Sequence, residues 1–289
     1  MLIEQFLQYI MSGLTLGAVY AIVALGFTII FSVTGIINFA QGEFVMLGGM
    51  LSYWLLRVVG LPLPYACLLA VMAVALVGVV LERLAIKPAR SAPLVSLIII
   101  TIGASILIRG VAGQVWGKDA VALPAFSGEA PIVLLGASVA PQSLWVLAAG
   151  AAAMVGLHLL LSYTMLGKAL RACAVNRQAA SIVGIDPQAM SLFSFAVSAG
   201  LGALGGVMVS PLTMVSYDSG AMLGLKGFAA AAVGGFGSQL GAVGGGLALG
   251  VLEALGAGYI SSNYKDAIAL LVLFVVLFIR ARGMSGERA

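Results

Sequence analysis

Charge is what this chain has least of. Its 289 residues include 14 Lys or Arg and 10 Asp or Glu, only 8% charged, against 62% hydrophobic. A mean hydropathy of +1.16 excludes a soluble globular core. It describes a polytopic membrane protein, in which each span needs roughly 20 apolar residues to cross about 30 Å of hydrocarbon. Histidine is nearly absent, with His158 alone. That removes a Ser/His/Asp hydrolase and an H-E-x-x-H metal site. Cys67 and Cys173 stand far apart at no disulfide or metal spacing and are expected to be inert packing residues. No G-x-x-x-x-G-K-[ST] loop exists: Gly117-Lys118 is followed by Asp119 and Gly167-Lys168 by Ala169, each without the upstream glycine. The chain is therefore not expected to be an enzyme, to bind ATP itself, or to carry a cofactor or metal. Period-two alternation is missing too, which excludes an outer-membrane barrel. The expected class is all-α, because apolar spans must satisfy their backbone internally.

What is present is a series of apolar runs. Met11–Phe31 comes first, with Gly13, Gly17 and Ala21 on one face, a spacing that lets helices approach closely in lipid. MLIEQFLQYI has no basic start, so no cleaved signal is expected. Further spans are predicted at Val45–Val58, Tyr65–Leu81, Leu94–Val111, Ser143–Ser162, Gln188–Val209 and Ala267–Ile279. Residues 114–141, with Pro124, Pro131 and Pro141, read as an external loop. His158 reads as an interfacial or packed residue. Between 221 and 261 the chain is crowded with Gly and Ala. Ala242, Gly246, Gly250, Ala254 and Gly258 make a smooth face, and the break at 234–239 suggests a hairpin of two short helices. The hairpin adds zero or two crossings, for about 7–9 in a single domain spanning 1–289.

Two stretches interrupt this pattern. In SVTGIINFAQGEFVMLGGM, residues 32–50, the polar Asn38, Gln41 and Glu43 separate two apolar runs. This is either a surface connection or a broken helix lining a path, since irregular backbone and acids at membrane depth require protein or water around them. The second is 163–187, YTMLGKALRACAVNRQAASIVGIDP, with Lys168, Arg171 and Arg177. Thr164 and Asn176 are placed to cap two short helices, Gly184 to end the second, and Asp186-Pro187 to start the next span.

Charge orients the chain. The segments 83–90, 168–177 and 280–288 hold nine of the 14 basic residues and fall on one side if the spans alternate. The positive-inside rule makes that side, and the C-terminus, cytoplasmic. With enzymes set aside, transport is the remaining function. A gradient-driven transporter acting alone would need intramembrane carboxylates, for which Glu43 and Glu253 are the candidates, neither with an obvious buried basic partner. A primary transporter would have to borrow an ATPase, and the basic segment 163–187 would be its docking surface.

Gln178-Ala179-Ala180-Ser181-Ile182-Val183-Gly184 resembles the Glu-Ala-Ala-x-x-x-Gly signature of ABC importer permeases, with Gln178 in place of Glu and no apolar-proline ending. More of the chain is similar to one family. GKALRACAVNRQAASIVGID, GLTLGAVYAIVALGFTIIFSVTGIINFAQGEFVMLGG and KGFAAAAVGGFGSQLGAVGGGLALGVLEALGAGYISSNYKDAI look like the branched-chain amino acid ABC transporter permease family, the first of its two permease subunits. The resemblance implies a multi-pass permease of the bacterial inner membrane. It implies as partners a second homologous permease, two cytoplasmic ATPase subunits that use ATP, and a periplasmic solute-binding protein, with no nucleic acid. It also implies that Lys168, Arg171, Arg177, Gln178, Ala179, Ala180 and Gly184 form the ATPase-coupling loop, and it favours Asn38, Gln41 and Glu43 as lining the translocation path.

Overall fold

The computed structural model describes residues 2–128, 130–134 and 136–285. Eleven α-helices dominate the described residues. In chain order they are α1 Leu2–Thr34, α2 Gln41–Arg57, α3 Leu63–Leu81, α4 Leu94–Val115, α5 Pro141–Tyr163, α6 Met165–Val175, α7 Arg177–Ile182, α8 Pro187–Val209, α9 Ser219–Gly234, α10 Gln239–Tyr259 and α11 Lys265–Ser285. Six are long and apolar enough to cross a membrane: α1, α3, α4, α5, α8 and α10. The polytopic all-α class is therefore what the chain adopts. One exception is local. Inside the expected external loop, β1 Ile132–Leu134 and β2 Ala137–Val139 form a two-stranded antiparallel hairpin, which Gln8 of α1 holds through Ser138, donating to its carbonyl and accepting from its N–H at 2.8 Å each. That loop also begins later than the sequence suggests, because α4 runs on to Val115. Glu129 within it, and residues 286–289 of the basic tail with Arg288, lie outside the described residues.

α1 is the axis of the bundle, with almost every side chain from Ala18 to Ile30 buried. Its expected small-residue face meets the expected face of α10. A Cβ on Gly13 would lie 2.7 Å from the Val251 Cα, one on Gly17 2.8 Å from the Leu247 Cα, and one on Gly246 2.6 Å from the Ala21 Cα. The two helices run antiparallel with their backbones in contact, which only small residues permit. Phe31 stacks on Phe236 at 5.0 Å, so the α9–α10 turn lies beside the C-terminal end of α1. At the other end of α10, Tyr259 meets Tyr9. The glycine-rich region thus contains two helices of unequal length, 16 and 21 residues, rather than two short ones.

α2 departs most from expectation. It begins at Gln41, so Gln41 and Glu43 lie within the helix and only 35–40 connects it to α1. The end of α1 is set by Gly35, which takes φ +72. The connection then climbs along α4: the Phe39 N–H donates to Thr101 Oγ1 at 3.2 Å. Glycines wedge α2 in place. A Cβ on Gly206 of α8 would run into the Val45 carbonyl, and one on Gly42 into the backbone of Gly220 and Gly224 in α9.

Candidate functional site

Two groups of predicted residues sit in different parts of the bundle. The first is the α6–α7 segment, and its local structure follows from its caps. Thr164 Oγ1 accepts from the Gly167 N–H at 3.0 Å. Asn176 Oδ1 accepts from Gln178 and Ala179 at 3.0 and 2.9 Å. Asp186 Oδ1 accepts from Gln188 at 2.8 Å to open α8. Gly184 takes φ +89, and the next N–H, of Ile185, reaches back to the Ala180 carbonyl at 3.0 Å. A side chain at that φ is strained, so glycine is what closes α7.

Leu170, Cys173 and Ala180 turn inward and pack with Val33 and Met190, which fastens the segment to α1 and α8. Ala180 is therefore not available as a contact for another molecule, because burial against its own chain uses it. Lys168, Arg171, Arg177, Gln178, Ala179 and Gly184 are all exposed. So is a set of apolar side chains the sequence reading passed over: Met165, Leu166, Val175, Ile182 and Val183, with Val175 88% and Ile182 85% exposed. Burial pushes the Cys173 thiol above its usual range; Arg177 opposes that shift and Asp186 adds to it. Arg171 also borders a cavity of about 360 Å³ with His158, Ser32 and the α9–α10 turn.

The second group surrounds the start of α2. Asn38, Gln41 and Glu43 are completely buried. Gln41 Nε2 donates to the Ser198 carbonyl at 3.0 Å. Ser198 Oγ lies 2.7 Å from Gln41 Oε1 and 2.8 Å from the Gly26 carbonyl, its hydroxyl donating to one of them. Glu43 Oε1 accepts from Ser105 Oγ and from Arg109 Nη2, both at 2.8 Å. At about 1.5 Å per residue, Ser105 lies about 16 Å along α4 from Leu94, and Ser198 about 16 Å along α8 from Pro187, each near the middle of its helix. The N-terminus of α2 therefore begins deep inside the bundle, not at its surface.

Both candidate carboxylates have the basic partner that the sequence reading denied them. Glu43 pairs with Arg109 at 2.8 Å. Glu253 of α10 pairs with Lys226 of α9, also at 2.8 Å, and Lys226 reaches Asp266 of α11 at 2.7 Å. Tyr20 of α1 donates to Glu253 Oε2 at 2.9 Å, and Lys226 Nζ donates to the Tyr20 oxygen at 3.3 Å. Sequence held one signal for these partners: Arg109 and Lys226 are lone cations inside apolar helices, and such a group needs an anion.

A family model described as branched-chain amino acid transport system / permease component matches residues 9–277. The high-affinity branched-chain amino acid transport system permease protein LivH of Escherichia coli K12 is 33% identical, with 98% of this chain and 96% of the relative covered. BraD of Pseudomonas aeruginosa, described in the same words, is 32% identical over 99% and 97%. A probable LivH of Methanocaldococcus jannaschii is 30% identical over 92% and 88%. With the matched region reaching from α1 into α11 and identity above 30% across nearly whole chains, this protein belongs to the branched-chain amino acid transport permease family.

Proposed function

We propose that this chain is one of two homologous permease subunits in an ATP-driven importer of branched-chain amino acids, set in the bacterial inner membrane. Two cytoplasmic ATPases bind and hydrolyse ATP, and a periplasmic binding protein delivers the solute. The observation that carries this reading is the exposed surface of α6 and α7. A short, doubly capped helical pair beside the bundle presents Met165, Val175, Ile182 and Val183 among Lys168, Arg171 and Arg177. An exposed apolar patch rimmed by charge marks a protein interface. Lipid is not its natural neighbour, since three cations within ten residues belong outside the bilayer.

The same surface supports an orientation. The α6–α7 segment and the 82–93 turn are cytoplasmic, and so is the C-terminus after an odd number of crossings. The α9–α10 turn beside Phe31 supports nine crossings, with α2 and α9 shorter than a full span. Nucleotide-driven closure of the ATPases would move α6 and α7, and their packing on Val33 and Met190 would pass the motion to α1 and α8. A transporter driven by an ion gradient would need a carboxylate free to load and release its ion, whereas both oxygens of Glu253 are held, by Lys226 at 2.8 Å and by Tyr20 at 2.9 Å.

Proteoliposomes holding both permeases, the ATPases and the binding protein are expected to accumulate labelled leucine only with ATP. Ile182→Asp together with Gly184→Leu is expected to abolish ATPase co-purification and uptake while leaving membrane insertion intact. Uptake by the isolated chain under an ion gradient, or full uptake by that variant, would overturn the assignment.

A further inference from the structure

Arg109 raises a problem that one chain does not solve. Its guanidinium is held 3.5 Å from Ser105, at the middle of α4, yet 31% of its side chain is exposed. Hydrocarbon does not accept a bare guanidinium at that depth, so its open edge borders a water-filled or protein-lined space. Its carboxylate partner is enclosed, with 1% of the side chain exposed. The pair is also incomplete. Glu43 Oε2 and Arg109 Nε are buried without a hydrogen-bond partner among the described residues. Buried polar atoms are nearly always paired, so two orphans within one ion pair point to groups that something else satisfies.

Two helices also begin here. Gly42 of α2 and Gly220 of α9 touch backbone to backbone, and Glu43 Oε2 rests against Gly220. Neither helix carries a side-chain N-cap hydrogen bond. The Gln41 and Glu43 N–H groups already donate to the Asn38 and Ala40 carbonyls, and that of Ser219 to Ser216, all at 3.1 Å, so what the two starts offer an anion beside Glu43 is the positive end of each helix dipole. About one turn further along α4, the Tyr217 ring covers Gly113, with 3.1 Å between Cδ2 and a Cβ built on the glycine. That gives the space an aromatic wall.

We propose that Glu43 and Arg109 form a subsite for the zwitterionic head of an α-amino acid in the translocation path. Arg109, aided by the positive ends of α2 and α9, takes the carboxylate, Glu43 takes the ammonium group, and Tyr217 faces the aliphatic side chain. This rests on the importer reading above. In the empty state the two residues neutralise each other. When the zwitterion enters, each exchanges its partner for the ligand group of opposite charge, so the sum of charge is unchanged and none is left uncompensated. A solute carrying only a carboxylate or only an amine completes half the exchange and strands the other residue. The chemistry therefore selects free amino acids over amides and simple acids, after the binding protein has made its own selection.

The test separates recognition from mere structure. Removing one partner strands a charge under either view, so the informative variant is Glu43→Gln with Arg109→Gln, which keeps shape and hydrogen bonding and removes both charges. In the complete transporter in proteoliposomes, this variant is expected to co-purify with its partners and to lose at least tenfold in leucine uptake. Uptake within twofold of wild type would show a structural pair only and overturn the subsite, while leaving the importer reading standing. Failure of the wild type itself to take up leucine would instead overturn the importer reading and this subsite with it. Should the double variant not assemble, Arg109→Lys keeps the charge but shortens and narrows the donor set. A tenfold loss there supports the subsite, and wild-type uptake overturns it.

Discussion

Replacing Lys226 by methionine should unsettle this protein more than any exposed change. Lys226 and Glu253 have 6% and 3% of their side chains exposed, and their ion pair joins α9 to α10, with Tyr20 of α1 as a third member. Methionine keeps the apolar stem and removes the charge. The Glu253 carboxylate is then left enclosed with the Tyr20 hydroxyl as its remaining partner. Breaking a buried pair in this way costs about 3–5 kcal/mol, mostly for the stranded ion. Asp266 contributes little to that sum, because 41% of its side chain reaches the surface and hydrates. Adding Glu253→Leu removes the stranded ion and fills the space with apolar packing, so the double variant should return to within about 1–2 kcal/mol of wild type. At roughly 2–4 °C per kcal/mol for a large domain, the single variant should melt on the order of 10 °C lower in detergent, with most of that recovered in the double. The measurement is thermal unfolding of the two single variants and the double, read as a cycle. A Lys226→Met protein that melts with wild type, or a double variant no better than the single, would refute the claim that this pair is structural. Uptake by the recovered double variant would also exclude Glu253 as an ion-coupling carboxylate.

Gly17→Leu places a Cβ 2.8 Å from the Leu247 Cα, where only backbone could yield, so α1 and α10 must separate; overpacking of this kind costs about 1–3 kcal/mol, and the melting temperature should fall by several degrees. Gly103→Ala is the control, since nothing lies within 4 Å of the added carbon, and it should melt at or slightly above wild type. For Cys173, burial raises the thiol, so at a given pH less of the reactive thiolate is present than for a free cysteine. In a Cys67→Ala background, maleimide labelling at pH 8 should be slow and should accelerate as pH rises past the usual thiol range; labelling at the rate of a free thiol at pH 8 would refute this.

Much of the fold was legible because much of it is local. Thr164, Asn176 and Asp186 each accept from backbone N–H groups two or three residues ahead, and Gly184 closes a helix with its own backbone. Such interactions are written in neighbouring letters. The small-residue faces of α1 and α10 were legible singly, as a spacing of four, but their meeting was not, since it joins positions more than 200 residues apart. The start of α2 left two readings open for a physical reason. Asn38, Gln41 and Glu43 look like a polar connection until Ser105, Arg109 and Ser198 from other helices supply partners to Gln41 and Glu43. The inward turn of Ala180 likewise depends on Val33 and Met190, which the segment itself does not name.

The two intramembrane ion pairs show how far such reasoning reaches. Each obeys the same rule, that a charge in an apolar helix must find its opposite, yet they satisfy it differently. Lys226 and Glu253 are enclosed by three helices and a hydroxyl, and every charged oxygen and nitrogen of the pair has a partner. Nothing is left over for a ligand, which is the condition of a structural element. Glu43 and Arg109 keep one oxygen and one nitrogen unmatched and leave 31% of the arginine side chain open beside two helix starts without side-chain caps. A structural role would have closed those gaps, because each orphan destabilises the empty state. On the subsite proposed above, the missing partner arrives with the solute, and the less complete of the two pairs is then the one that transport uses.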